Sequence, residues 1–390
     1  MQIAFEILFW LSLFLILHSY LFYPAIIKYL SKNKKENLDK YTISDDLPFV
    51  TIIMAVHNEE KIIEKKILSV FNTDYPIEKI EFLIGTDNCN DSTNEIIKKI
   101  QSKYSKLKLF EFSERKGKIK IINFLKSKVK TPIIISTDAK AIFRQDTIFH
   151  LVEYFKNDEI KMVGAVLVNS QFDKRGISNQ ENLFMNREIM LKYREGLLWG
   201  HSIGIYGALY SIRTEEFTDV PENLLVDDFY INMKVLENKG KAVFNLKAVA
   251  IEDLPTELRE EYKRKVRIAT GDFQNLKIFA KHLLKPFKTI SFAYISHKVL
   301  RWTTPHLFLL MLVSIIFLCN MLFYKYVAIG LAIIFLIPLI DFLLQKINIH
   351  IKLFRYLTHF IAMNFAMTVG FIKSLFGVKK TYWNPSKRIN

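Results

Sequence analysis

The chain begins with a long apolar stretch. Residues 3–27 are almost continuously apolar, with Glu6 and His18 as the exceptions. About 20 such residues cross a bilayer as a helix. A signal peptide is the competing interpretation, but no Lys or Arg precedes the stretch and no small-residue cleavage site follows it. We therefore predict a retained transmembrane anchor at residues 1–28.

From residue 48 the pattern changes to short apolar runs that alternate with amphipathic segments. Clusters of β-branched and other apolar residues predict strands at 49–55, 80–85, 106–112 and 132–136. Apolar residues at helical spacing predict helices at 59–71, 92–104 and 118–128. Such alternation is typical of an α/β domain with a mainly parallel sheet and right-handed crossovers. We expect this domain to cover residues 48–256 and to bind ligands at the carboxyl ends of its strands.

Beyond the α/β domain the chain is predicted to return to the membrane. Residues 257–302 form a basic helical region, and we expect its later half to lie on the membrane surface. Residues 303–377 are mostly apolar and are expected to form membrane segments, and residues 378–390 are a basic tail. The sequence therefore predicts an α/β domain flanked by transmembrane helices.

The number of C-terminal crossings stays open. Two apolar runs, 306–324 and 327–344, are long enough to cross a bilayer. A third run, 354–376, contains Arg355 and Lys373, which are costly inside a membrane. If all three runs cross, the basic tail lies outside the cytoplasm, against the positive-inside rule. A re-entrant or interfacial course of the third run removes this conflict.

The charge pattern predicts which side of the membrane carries the α/β domain. Lys and Arg outnumber Asp and Glu by 55 to 39, which gives a net charge of +16. Four lysines follow the anchor directly, and by the positive-inside rule they place the domain in the cytoplasm, at the inner membrane of the cell: Lys28, Lys32, Lys34 and Lys35. Basic residues beside apolar spans are expected to contact membrane lipids. Nucleic acid is not expected as a partner, since neither an Arg-rich arm nor zinc-ligand spacing is present.

Several polar groups stand where ligands are expected to bind. Asp138 directly follows a predicted strand, although capping of a following turn is an equally good interpretation. Asp227 and Asp228 precede an amphipathic stretch, and since neighbouring side chains point apart, one could take a proton while the other orients a partner. An ordinary acidic first turn of a helix is the alternative. Arg264 and Arg267 share one helical face, which can bind phosphate or membrane lipid.

Taken in order, these blocks resemble the inverting glycosyltransferases of family two with the GT-A fold, particularly their membrane-bound branch. The resemblance covers residues 48–280. The first strand followed by Asn58 and Glu59 is similar to the first-strand signature, on the donor side. Asp87, in an aspartate-rich turn after the second strand, is implied to contact the nucleoside. Lys118, directly after a glycine, resembles the next donor-side block.

The later blocks of the resemblance imply the remaining roles. Asp138 matches the first carboxylate of the Asp-x-Asp element, which implies a divalent metal, Mg²⁺ or Mn²⁺, on the donor diphosphate. The glycine-rich segment 204–213, with Gly207, resembles the acceptor side, to which Asp227 is also assigned. Asp228 corresponds to the second member of an acidic pair and is implied to be the catalytic base. Arg264 and Arg267 resemble the element that helps to bind the diphosphate.

Two positions depart from the family pattern. Lys140 stands where the second Asp of the Asp-x-Asp element is usual, so metal binding depends on Asp138 and on donor oxygens. Lys140 could itself neutralise phosphate or point to solvent. Ile268 stands where polymer-making relatives have Trp, which argues against processive synthesis.

The resemblance implies a hexosyl- or N-acetylhexosaminyltransferase that uses a nucleotide-sugar donor, a UDP-sugar, and a membrane-associated or polysaccharide acceptor, such as a glycan or lipid. A catalytically degenerate membrane protein that only binds a nucleotide sugar is the alternative, and Lys140 is the feature that favours it. A nucleotidyltransferase shares a similar sheet but lacks the Asp-Asp and Arg-x-x-Arg order.

Overall fold

The described part of the chain divides into two compact units. The computed structural model describes residues 1–36, 39–168, 178–252, 258–347 and 349–377, with backbone alone for 178–184 and 258. We call the described part of residues 30–172 and 185–255 the sheet unit, and that of residues 1–29, 173–184 and 256–377 the helical unit. The predicted basic tail lies outside the described residues.

Eight strands form one mixed sheet in the sheet unit. In chain order they are β1 (Val50–Val56), β2 (Ile80–Asp87), β3 (Leu107–Phe112), β4 (Ile133–Thr137), β5 (Ile142–Phe143), β6 (Ile160–Val168), β7 (Leu209–Arg213) and β8 (Lys241–Ile251). Their order across the sheet is β3-β2-β1-β4-β7-β6-β8-β5. The strands β1 to β4 pair in parallel, as do β6 and β8, whereas β7 is antiparallel to both neighbours. The expected mixed, mainly parallel α/β sheet is confirmed.

The α-helices of the described residues are α1 (Gln2–Leu17), α2 (Tyr23–Leu30), α3 (Ile63–Phe71), α4 (Thr93–Gln101), α5 (Lys118–Lys128), α6 (Thr147–Val152), α7 (Ser178–Trp199), α8 (Asp227–Glu237), α9 (Leu258–Ile278), α10 (Thr289–Tyr294), α11 (Leu300–Trp302), α12 (Thr304–Leu318), α13 (Leu322–Lys346) and α14 (Lys352–Leu375). A π-helical turn joins α1 to α2, and another joins α10 to α11: His18–Phe22 and Ile295–Val299. Short 3₁₀ turns lie at Ile77–Lys79, Glu153–Lys156, Thr214–Glu216 and Ala280–Leu284.

The first four predicted strands and the helix predicted at 118–128 are confirmed within one or two residues. The predicted start of the first helix at residue 59 is wrong, because Thr93 and Asp91 accept the backbone N–H groups of Glu59 and Glu60 in a turn, and α3 begins at Ile63. The helix predicted to reach residue 104 also ends early, because a turn leads from α4 into β3.

Burial on both faces explains why the first strands were readable from the sequence. Every residue of β1 and β4 is buried. Strands covered on both faces are nearly continuous apolar runs. Their side chains join those of α3 and α6 in the main core of the sheet unit. This core fixes the carboxyl ends of β1, β2 and β4, where the candidate site lies.

The helical unit contains the segments that are candidates for crossing a membrane. By length and composition, Gln2–Leu30 and Leu322–Lys346 qualify as spans, and the pair Thr289–Trp302 and Thr304–Leu318, bent by 64°, supplies a third if it counts as one. The span predicted at 306–324 is wrong at its end, because the chain turns after α12 and its last three residues belong to α13. The helix α14 is present as expected, but it is not among the candidate spans.

Two sets of helices pack against each other in the helical unit. The first helix runs antiparallel to the bent pair: Phe5 stacks on Phe317 with ring centroids 4.2 Å apart, and His18 Nε2 lies 2.9 Å from Ser296 Oγ. The helices α9 and α14 run side by side in the same direction. Tyr262 near the start of α9 stacks on Phe365, and Lys277 at its end lies 3.5 Å from the carbonyl oxygen of Ser374.

Candidate active site

Two carboxylates open helix α8 beside a glycine. Asp227 and Asp228 are its first two residues, where the helix dipole favours negative charge. Gly207 lies directly behind the second carboxylate, and a Cβ added to this glycine would meet Asp228 Oδ2 at 2.7 Å. The predicted acceptor-side glycine and the predicted base are therefore in contact, and the absence of a side chain at position 207 permits that approach.

The environment of Asp228 makes it a proton acceptor suited to near-neutral pH. Burial, followed by the charge of Asp227, raises the pKa of Asp228 to about 6, although Lys118 opposes this shift. The amide N–H of Phe229 donates to Asp228 Oδ1 at 2.8 Å. A general base is most effective when its pKa lies near the working pH. The arrangement can therefore take a proton from a hydroxyl group.

Lys118 connects the strand β4 to helix α8 through two ion pairs. Its ammonium donates to Asp138 Oδ1 at 3.0 Å and lies 3.9 Å from Asp227 Oδ2. Burial opposes the charge of Lys118, but Asp138 and Asp227 outweigh burial and raise its pKa above the usual value. The predicted donor-side lysine, the predicted metal ligand and the predicted acidic pair are thus brought together.

Two further lysines are part of, or contact, the turn that carries Asp138. Lys140 Nζ lies 3.5 Å from Glu59 Oε1, with only 21% of the lysine side chain exposed, so the solvent-pointing alternative is wrong. Beneath the turn, the fully buried Lys66 donates to Thr137 Oγ1 at 2.9 Å and to the carbonyl oxygen of Ala141. Burial lowers the pKa of Lys66 well below its usual value.

Asp87 ends strand β2 in a fully buried position. Its carboxylate accepts the backbone N–H groups of Lys116, at 2.6 Å, and of Gly117, at 3.2 Å. Gly117 has a φ of +83°, a conformation that favours glycine. Arg115 also donates to Asp87, at 3.2 Å. The carboxylate thus shapes the loop before α5, and its predicted contact with a nucleoside stays a prediction.

His57 shares this network through both ring nitrogens. Its Nε2 lies 2.6 Å from Arg115 Nη1, and its Nδ1 lies 2.8 Å from the carbonyl oxygen of Asp87. Since Arg can only donate, Nε2 is the acceptor and Nδ1 carries the proton. Sequence reasoning missed Arg115, although a basic residue directly before the Lys-Gly-Lys block was a signal for it.

Asn58 joins the loops that follow β1 and β2. It adopts a φ of +50°, and its Oδ1 accepts the backbone N–H of Asn90 at 3.0 Å. Its own backbone N–H points to Cys89 Sγ at 3.4 Å. The structure thus places Asn58 and Glu59 at the carboxyl end of β1, and their donor-side role stays a prediction.

Lys192 was also missed, and no local pattern marks it. Its ammonium lies 3.3 Å from the centroid of the Tyr206 ring, a cation–π contact beside the Gly207 segment. The charge of Lys192 lowers the pKa of Asp228, against the larger effects of burial and Asp227. The two partners of this contact lie on different elements, so only the tertiary structure reveals it.

Arg264 and Arg267 lie on α9 in the helical unit. Arg264 makes a bidentate ion pair with Glu261: its Nε donates to Oε2 at 2.9 Å and its Nη2 donates to Oε1 at 3.0 Å. Arg267 lies three residues further on and is exposed. Their binding of a donor diphosphate stays a prediction.

The carboxylate of Asp138 is paired with an ammonium and is not free for a divalent cation. Mg²⁺ and Mn²⁺ take oxygen ligands, and beside a phosphate group these are commonly one or two carboxylates together with phosphate and water oxygens. Here Lys118 already pairs with Asp138, and the second position of the expected element is an ammonium, that of Lys140. Within the parts of the chain that the structure describes, no group of three or more His, Cys, Asp or Glu side chains could hold a metal ion.

Known proteins are similar to this chain chiefly between residues 51 and 216. Residues 51–216 match the family model described as glycosyl transferase family 2. A β-monoglucosyldiacylglycerol synthase from a Nostoc species is 32% identical over 147 residues, which cover 37% of this chain and 30% of that protein. A poly-β-1,6-N-acetyl-D-glucosamine synthase from Staphylococcus aureus is 24% identical over 262 residues, 66% of this chain and 61% of that protein. The matches span under a third of the first relative and about three fifths of the second.

A solved structure has the same fold. A mannosyltransferase from Pyrobaculum calidifontis, solved in complex with GDP-mannose and Mn²⁺, superposes with a TM-score of 0.71 at 20% sequence identity. The superposition covers 96% of this chain and 98% of the mannosyltransferase. The likeness confirms the expected GT-A fold.

Proposed function

We propose, from the match of residues 51–216 to the glycosyl transferase family 2 model, that the chain transfers a hexosyl or N-acetylhexosaminyl group from a UDP-sugar to a hydroxyl group of a membrane-associated or polysaccharide acceptor. One observation carries the proposal. Asp228, with a pKa raised to about 6, lies beside Asp227, and Lys118 links that carboxylate to Asp138 at the mouth of the sheet.

The proposed reaction is a single displacement with inversion. The acceptor oxygen attacks the anomeric carbon and forms the new glycosidic bond, while its proton passes to Asp228. The bond from the anomeric carbon to the phosphate oxygen breaks, and the nucleoside diphosphate leaves with the electron pair. Positive side chains that face the diphosphate stabilise the developing charge. An α-linked donor then gives a β-linked product.

The names of the relatives support the sugar and acceptor classes. One relative is named for glucosylation of diacylglycerol and the other for a polymer of N-acetylglucosamine. A lipid acceptor agrees with the apolar helices of this chain. Ile268, in place of the Trp of polymer-making relatives, favours the addition of a single sugar.

The helices of the helical unit support the proposal that the chain is an integral membrane protein with two C-terminal crossings. The helix α14 packs along α9, with Gly370 against Ala269. Charged residues along α9, among them Arg259, Glu260 and Lys263, cannot lie in the hydrocarbon core without a large cost. We therefore propose that α14 lies at the membrane surface and does not cross.

With α14 at the membrane surface, the predicted sides of all segments agree with the positive-inside rule. The anchor enters the cytoplasm at its carboxyl end, α12 leaves it and α13 returns to it. The basic tail, which lies outside the described residues, would then stay on the cytoplasmic side, as the positive-inside rule requires. In this proposal the catalytic domain lies on the cytoplasmic side of the inner membrane.

The test is a donor screen on the purified full-length chain with a native lipid extract, and the products are read by mass. We expect one added sugar, and we expect Asp228→Asn to reduce transfer by at least about a hundredfold while UDP binding is retained. Asp158→Asn is the matched control, because the side chain of Asp158 is 99% exposed.

Each outcome of this screen decides between the alternatives. Wild-type turnover in Asp228→Asn would disprove the assignment of the base. A ladder of products would disprove single addition. Binding of a UDP-sugar that the wild type never consumes would instead support the degenerate binding protein that Lys140 favours.

A further inference from the structure

The carboxylate expected to bind a metal ion is paired with a lysine. Lys118 is the first residue of α5, and its ammonium lies between Asp138 Oδ1, at 3.0 Å, and Asp227 Oδ2, at 3.9 Å. Two carboxylates on different elements that converge on one cation form the arrangement in which a divalent ion bridges protein and phosphate. Here the cation is part of the chain.

Hydrogen bonds to Asp87 fix the backbone directly before Lys118. The residue before it, Gly117, turns the chain with a φ of +83°, and its N–H is bound by the buried carboxylate of Asp87. The neighbouring Lys116 N–H is bound by the same carboxylate at 2.6 Å. The start of α5 is therefore fixed, and only the flexible stem of Lys118 has to move for its ammonium to reach a phosphate.

A second ammonium belongs to the same turn, two residues after Asp138. Lys140 is paired with Glu59 at 3.5 Å, and the two side chains are only 21% and 14% exposed. A divalent ion on Asp138 would be repelled at short range by Lys118, whose ammonium lies 3.0 Å from that carboxylate, and position 140 contributes a second positive charge where a carboxylate ligand is expected. An anionic diphosphate would instead be attracted by both.

We propose that Lys118 and Lys140 neutralise the donor diphosphate directly, so that transfer requires no divalent cation. The inference rests on the proposed function, because it concerns the same donor site. Each lysine exchanges a carboxylate partner for a phosphate oxygen when the donor binds. The lysines also stabilise the nucleoside diphosphate as it leaves.

The activity test uses the full-length protein after removal of metal ions. Transfer is measured in EDTA and then with added Mn²⁺ or Mg²⁺. We expect the wild-type rates to agree within about twofold, and Lys140→Asp, which restores the acidic position of the element, to lose at least about tenfold in EDTA and to regain activity with Mn²⁺. Lys120→Asp, on the exposed face of α5, is the matched control and should behave like the wild type.

A binding measurement separates this inference from the proposed reaction. By calorimetry with UDP, we expect the wild-type affinity to be independent of Mn²⁺ and Lys118→Met to bind at least about tenfold more weakly. Transfer that stops in EDTA and recovers with Mn²⁺, or UDP binding that needs Mn²⁺, overturns the inference. Metal-independent UDP binding without transfer under any condition would support the lysine site and contradict the transferase proposal.

Discussion

Two opposing influences act on the carboxylate of Asp228. Burial and the neighbouring charge of Asp227 favour its protonated form, whereas Lys118 favours the ionised form. The balance leaves its pKa at about 6, which keeps it mostly ionised at neutral pH while it is still basic enough to accept a proton. The two carboxylates of the acidic pair therefore differ: Asp227 pairs with Lys118, and Asp228 is the proposed base.

This balance predicts a specific pH dependence. Transfer should fall as the pH drops through about 6, because protonated Asp228 cannot accept a proton. Asp227→Asn removes a charge that raises the pKa of Asp228, so the acidic limb of kcat should move to lower pH. A pH profile of both proteins measures the shift, and Asp158→Asn should leave it unchanged. An acidic limb that stays in place in Asp227→Asn would mean that another group titrates.

The same pKa gives a stability prediction for the catalytic variant. A carboxyl whose folded-state pKa is raised favours the folded protein in its protonated form, and this advantage is lost as the pH rises through about 6. Asp228→Asn cannot ionise, so its Tm should exceed that of the wild type at pH 8 and should approach it below about pH 4. Thermal unfolding at both pH values tests this, and equal Tm values at pH 8 would contradict it.

At the scale of elements, close helix packing distinguishes one glycine from another. Gly370 on α14 and Gly330 on α13 are both in helices, where alanine is intrinsically better by about 1 kcal/mol. A Cβ at position 370 would lie 2.4 Å from Ala269 Cβ and 2.9 Å from the backbone nitrogen of Thr270, whereas a Cβ at position 330 meets nothing within 4 Å. The contact of α14 with α9 therefore depends on a missing side chain.

Gly370→Ala should destabilise the protein in spite of its better helix propensity. The overpacked contact is expected to cost about 1–3 kcal/mol, since a backbone atom cannot yield as a side chain can. Gly330→Ala is the matched control and should leave the Tm unchanged or raise it. The Tm in detergent measures both, and a Gly370→Ala protein as stable as the control would show that α14 does not pack on α9.

At the scale of the whole molecule, the two cysteines report the proposed sidedness. Cys319 is exposed in the turn between α12 and α13, and Cys89 lies in the loop after β2. With α12 crossing outward, Cys319 faces the outside while Cys89 faces the cytoplasm. Both positions are native, so no new residue is needed for the test.

A membrane-impermeant maleimide should label Cys319 in sealed right-side-out vesicles and label Cys89 only after permeabilisation. The variants Cys89→Ser and Cys319→Ser assign each signal to one residue. Labelling of both cysteines only after permeabilisation would place them on the same side and contradict an outward crossing by α12.

The sequence by itself predicted the features that depend on neighbouring residues. The strands β1 to β4 are buried on both faces, so their apolar runs were visible, and so was the helix that starts at Lys118. The polar residues after these strands were expected at the ligand-binding ends of the strands, and Asn58, Glu59 and Lys140 make contacts between these loops. By contrast, α7 carries no single apolar stripe, and β6, β7 and β8 pair in a mixed order that no local pattern encodes.

The tertiary structure decided what depends on residues far apart in the chain. Lys118 meets Asp227 only because α5 and α8 both begin at the mouth of the sheet, and this contact turned a predicted metal site into a candidate lysine site. The pKa of Asp228 is set through space by burial and nearby charges, which no spacing in the sequence reveals. The proposed course of α14 likewise rests on its packing on α9, because composition alone left open whether this segment crosses the membrane.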